Sequence, residues 1–216
     1  MFLPISALII FFQGFIAMRK TFQSLTFFLA VLQGWPLTSL ASTITGTVTW
    51  RGAQDKKDAV VYLEGVPGEF PPAEEPHEMN QREKVYIPHV LPILKGEQVK
   101  FMNNDPLLHN VHVYFGRDTL FNLAMIKSSR PLVKTFDRAG EHVVLCDVHP
   151  EMEAWIIVLE NPYFAVTDEN GNYKIENVPT GTHTLKVWHK KLKSHSENVT
   201  VNEAETSEVN VTLSWP

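Results

Sequence analysis

The residues able to do chemistry gather in one short stretch, Cys146-Asp147-Val148-His149-Pro150-Glu151-Met152, with His109 well upstream of it. The chain has a single cysteine, so Cys146 cannot close a disulfide within the chain; it is inert, paired between chains, or ligating something. A lone cysteine is ordinarily a small buried hydrophobe, but a histidine three residues on and a methionine six residues on tip the reading toward a metal ligand. A thiolate, imidazoles and a thioether form a soft donor set that favours copper and stabilises Cu(I), while the imidazoles keep Cu(II) acceptable. Met152 has a competing reading, because a methionine at the start of an apolar strand ordinarily fills core space.

These side chains need strands to position them. Alternation predicts that Cys146 ends a strand beginning near His142, and that His149 and Met152 fall in the short loop before a strand starting at Ala154. One connection would thus carry three candidate ligands. His109 supplies a fourth if its strand lies beside the Cys146 strand, as neighbours do in a Greek-key sandwich. Two histidines, a cysteine and a weak axial methionine are the donor set of blue-copper electron transfer. His112 falls on the opposite strand face from His109 and is left out of the site. His77, His89, His142, His183, His189 and His195 read as ordinary strand, core or loop residues.

The remaining pattern is all-β. Short apolar runs of period two are separated by Gly, Pro, Asn and Asp clusters, and no long amphipathic helix stands out. Strands are expected over 43–50, 59–63, 84–89, 98–103, 110–115, 132–136, 142–145 and 154–159, then 173–175, 182–189, 197–201 and 207–213. The Pro-, Glu- and Gly-rich stretch 65–82 is expected to be a surface loop or linker, and 116–130 an excursion over one end of a sandwich. Asp168-Glu169-Asn170-Gly171 and Pro179-Thr180-Gly181 read as hairpin turns. The first has too few carboxylates for a calcium loop.

Two resemblances rest on these residues. Ile44 to Val48, Asp58 to Leu63, Val166 to Ile175, Val178 to Gly181 and Leu185 to Val187 together resemble a carboxypeptidase regulatory-like, transthyretin-like β-sandwich, in which such pieces are nearly contiguous. Cys-x-x-His-Pro-x-Met at 146–152 is similar to the amicyanin ligand loop, and Pro106 to His112 looks like the segment carrying the first histidine of cupredoxins, a likeness running over about 84–159. With Tyr86-Ile87-Pro88-His89-Val90, the whole resembles exported plastocyanin-like proteins labelled methylamine-utilisation proteins. The resemblance implies His109 and His149 as imidazole ligands, Cys146 as thiolate, Met152 as long axial ligand to one type 1 copper, and Asn110 bracing the ligand loops through its amide. Asp147 and Glu151 depart from the family, whose better-known members carry small or apolar residues there; that bears on partner choice and potential. The architecture implied is a cupredoxin-type Greek-key sandwich (67–160) inserted in, or joined to, a small transthyretin-like sandwich (42–66 plus 161–216). The first strands could instead complete the inserted sandwich.

The first 41 residues contain Arg19, Lys20 and no acidic residue. From Met18 they run basic residues, an apolar stretch and Ser39-Leu40-Ala41, which reads as a signal peptide with Met18 as a possible true start. Export to the periplasm is therefore expected. The rest of the chain, without those two cations, is more acidic than the −5 of the whole, which argues against nucleic acid as a partner. The sequence thus predicts a non-enzymatic one-electron carrier serving redox protein partners, with no small-molecule substrate. An exported copper-binding or delivery protein, and a binding module with a structural metal site, are the competing readings.

Overall fold

The structure is a computed structural model, and it describes residues 42–52, 56–127 and 130–216. The expected signal peptide lies outside the described residues. In chain order the strands are β1 (Ser42–Trp50), β2 (Val60–Glu64), β3 (His77–Arg82), β4 (Val85–Ile87), β5 (Val90–Leu94), β6 (Gln98–Asn103), β7 (His109–Phe115), β8 (Asp118–Met125) and β9 (Leu132–Thr135). They continue as β10 (Gly140–Leu145), β11 (Glu153–Leu159), β12 (Phe164–Val166), β13 (Asn172–Val178), β14 (Gly181–Trp188), β15 (His195–Val201), β16 (Thr206–Glu208) and β17 (Val211–Leu213). The fold is all-β, with no helix among the described residues.

Four sheets form two sandwiches. One pairs the order β13-β1-β16, with β17 also on β1, against β12-β2-β14-β15. Its core takes the inward set of each alternating strand, including Ile44, Val48, Val61, Leu63, Ile175, Leu185, Val187 and Val211. The other pairs β4-β3-β6-β9 against β5-β11-β10-β7-β8. Its core holds Met79, Tyr86, Ile93, Phe101, Val113, Phe136, Val144 and Ile156, and it includes Cys146 and Met152. A third apolar cluster joins the sandwiches: Val60 and Trp188 from one meet Val90, Ile157 and Leu159 from the other.

Several expected elements differ. The stretch 65–82, expected to be a loop, contains β3, whose Met79 and Gln81 point into the core while its other residues are polar. Parallel pairing with β6 satisfies its backbone, and so little apolar sequence was needed to make a strand. The excursion expected over 116–130 contains β8, an edge strand on β7. An edge strand exposed on most positions has no alternation to show. The strand expected over 84–89 is instead β4 and β5, interrupted at Pro88, which has no N–H to give to a ladder. The two turns at 168–171 and 179–181 hold, but neither makes a hairpin: each carries the chain from one sheet to the facing one. At the first, the Asp168 carboxylate accepts from the backbone N–H groups of Asn170 and Asn172, and Gly171 takes φ +86° within reach of the Val48 carbonyl, where a side chain would clash.

Candidate metal centre

The strands bring His109, Cys146 and His149 together. β10 runs antiparallel to β7, placing Leu145 opposite His112, and Cys146 comes next where β10 ends. His109 is the first residue of β7. The loop between β10 and β11 is closed by backbone bonds: Met152 N–H donates to the His149 carbonyl at 2.9 Å, and Cys146 N–H to the Met152 carbonyl at 3.3 Å. His109 and Cys146 are buried and His149 half-buried; their donor atoms all lie within 4.8 Å of one another. The two Nδ1 atoms stand 3.0 Å apart, and Cys146 Sγ lies 3.9 Å from His109 Nδ1.

A metal ion with N and S bonds of about 2.0–2.3 Å spans such separations, and the soft donor set of two imidazoles and a thiol suits copper. Met152 is buried at the end of the same loop, in the same core cluster as Cys146. Asn110, next to His109, ties the loop down: its Oδ1 accepts from Asp147 N–H at 2.7 Å, and its Nδ2 donates to Asn122 Oδ1 at 2.7 Å and to Asp147 Oδ2 at 3.1 Å.

Three further groups, none of which the sequence reading placed in the site, shape the centre. Asp105 Oδ2 lies 2.7 Å from His109 Nε2. A carboxylate only accepts, so this ring nitrogen carries the proton and Nδ1 presents its lone pair to the trio. Burial alone would raise the Asp105 carboxyl, but N–H donors from Lys84, His109 and Glu83 together hold it below the usual carboxylate range. The Tyr86 hydroxyl sits 2.6 Å from the Asn110 carbonyl and 3.0 Å from the Leu145 carbonyl. It therefore bridges the backbone beside His109 to the backbone beside Cys146. Burial, then the neighbouring Cys146 and Asp147, push its phenol far up, so it stays a donor.

The third group is His112, on the face away from His109, whose Nδ1 lies 2.9 Å from Asp147 Oδ1. His112 and then Asn122 hold the Asp147 carboxyl below its usual range. His89, His142 and His189 lie outside the centre. His142 packs between Phe115 and Phe136.

The carboxypeptidase regulatory-like domain model matches residues 154–214. Solved structures with a detectable likeness include an amicyanin variant in its reduced state, at 26% identity over 40% of this chain and 85% of that one, with a TM-score of 0.37. They also include the Cu-containing nitrite reductase (NirK) from Thermus scotoductus SA-01, at 26% identity over 45% of this chain and only 24% of that one, TM-score 0.37. A purple cupredoxin from Nitrosopumilus maritimus matches at 20% identity over 38% of this chain and 99% of that one, TM-score 0.34. No curated protein matches. The chain thus carries a carboxypeptidase regulatory-like match in its last third and has amicyanin and other cupredoxins among its structural neighbours.

Proposed function

We propose that this protein is an exported carrier of single electrons, built on one type 1 copper ion held by His109, Cys146 and His149 with Met152 as the axial donor. The observation that supports it best is the convergence of two imidazole Nδ1 atoms and one thiol sulfur from separate parts of the chain. Copper on such donors supplies a one-electron couple. The protein's part is to hold those donors still. His109 is fixed through Asp105, the loop through Asn110, and the two strand ends through Tyr86. A frame braced at three points reorganises little when charge changes.

Cys146 gives the covalent route from the centre into β10, and His149, less buried than the other two, gives the route to the surface. Leu107 and Leu108 precede His109 and Val148 precedes His149, each 40–48% exposed. This apolar rim suits transient contact with a redox protein partner, not a bound substrate. The leader-like first 41 residues support a periplasmic location.

The test is optical and electrochemical. Copper-loaded wild type should absorb strongly in the visible through thiolate-to-copper charge transfer and cycle reversibly, and Cys146→Ser should remove that band. A colourless, slowly exchanging site in wild type would instead support copper delivery or a structural metal.

A further inference from the structure

We propose that Lys190, supplied by the sandwich of β1, β2 and β12–β17, is a positioning residue for the Met152 end of the metal centre. The inference rests on the copper reading only for its effect on the loaded protein; the brace itself is a property of the chain. It gives the second sandwich a role in the first one's chemistry.

β11 starts one residue after Met152, so whatever fixes Glu153 and Trp155 fixes the end of the ligand loop. The Lys190 ammonium lies 2.6 Å from Glu153 Oε1 and 3.1 Å from His89 Nε2, and it sits 4.6 Å from the centre of the Trp155 ring. Two of its three N–H donors are thereby used, and its charge lies over an aromatic face. The Lys190 side chain is only 16% exposed while the Glu153 side chain is 42% exposed, so the ammonium end is partly desolvated and solvent still screens the carboxylate.

The contact extends further into its own sandwich. His89 Nδ1 donates to Asp58 Oδ2 at 2.6 Å, and the His89 carbonyl accepts from Trp155 N–H at 2.9 Å. Asp58, His89, Lys190 and Glu153 therefore form a chain in which members from the two sandwiches alternate. Beneath it, Trp155 packs at 6.3 Å from Trp188 against the shared apolar cluster.

A positioning role needs something nearby that would otherwise move. Met152, Tyr86, Glu151, Glu153, His89 and Lys190 are among the residues lining a cavity of about 620 Å³ at this seam. Met152 itself is packed into the core, but open space lies against its neighbours Glu151 and Glu153, whose side chains packing does not hold. Lys190 supplies the tie across that gap.

The experiment compares the full chain with Lys190→Met, which keeps an unbranched apolar side chain and removes the ammonium, and with Lys190→Arg. In metal-free protein, Lys190→Met should speed amide exchange at 152–155 by about tenfold, with exchange in β13 and β17 unchanged. In copper-loaded protein it should shift the ratio of the visible charge-transfer bands and the reduction potential, and Lys190→Arg should restore both. Unaltered exchange at 152–155 would overturn the brace, as would a lowered melting temperature with unmoved bands and potential. A wild type that binds copper without a thiolate band would refute the electron-carrier reading, and the exchange result in metal-free protein would still decide the brace.

Discussion

Replacing Asp105 tests whether the centre is organised from behind the buried histidine. Its carboxylate accepts from Glu83 N–H at 2.6 Å, Lys84 N–H at 2.9 Å and His109 Nε2 at 2.7 Å. In Asp105→Ala the first two donors belong to exposed residues and regain water. The His109 ring is fully buried, so its N–H is stranded at about 1–3 kcal/mol. With the lost charge-assisted bonds to the turn, the expected destabilisation is about 2–4 kcal/mol. The effect on copper is separate, because the ring no longer has its proton fixed on Nε2. Loss of such a partner weakens metal binding about 10–100-fold.

Urea unfolding of metal-free protein reads the first effect, as a lower midpoint at constant slope. Chelator competition reads the second. Asp105→Asn, which keeps one acceptor oxygen but no charge, should fall between wild type and alanine in both. If Asp105→Ala unfolds within about 0.5 kcal/mol of wild type and holds copper within about twofold, the carboxylate does not orient His109 and the centre is not organised from behind that ring.

On the proposed ligand set, Met152→Gln should keep copper but lower the reduction potential, because an axial donor tunes the couple; an unchanged potential in voltammetry would remove Met152 from the proposed set. His142 gives a pH prediction away from the centre. Burial, opposed by hydrogen bonds to backbone and joined by nearby Arg138, holds its ring below the ordinary value of 6.5. The unfolded chain therefore takes up a proton below about pH 6.5 that the folded chain refuses. Stability should be fully present above that pH and fall as pH drops, by up to about 1.4 kcal/mol per unit. His142→Phe, flanked by Phe115 and Phe136, should flatten that part of the profile in denaturation curves; an identical slope would show that the ring protonates in place.

The legibility of this chain tracks how local each interaction is. Cys146 and His149 share one loop, so residue type and spacing announce them together, and an alternating strand after His109 places its ring on one face. Asp105 could be seen only as part of an Asn-Asn-Asp-Pro turn. Its role depends on the chain having already returned through β3 and β4 to put the N–H groups of Glu83 and Lys84 over it. Lys190 is further removed, because its partners come from two other segments, His89 and the start of β11, across a seam between sandwiches that no periodicity encodes. β3 shows the same limit in the backbone: a parallel partner at β6 and two buried side chains suffice for a strand whose sequence reads as polar linker.

The two acidic residues of the ligand loop read alike in sequence and differ in the fold. Glu151 borders the seam cavity beside Met152. Asp147 is held by His112, Asn122 and Asn110 at 2.6–3.1 Å, so its charge keeps a fixed position one residue from Cys146. A fixed negative charge there favours the more positive state of a bound ion. Asn110 carries both contributions at once, since its amide accepts from the Asp147 backbone and donates to the Asp147 carboxylate. In this protein the bracing of the cysteine strand and the electrostatics beside it run through the same side chain, so a substitution at Asn110 must disturb both, whereas Asp147→Asn changes the charge and leaves the backbone contact in place.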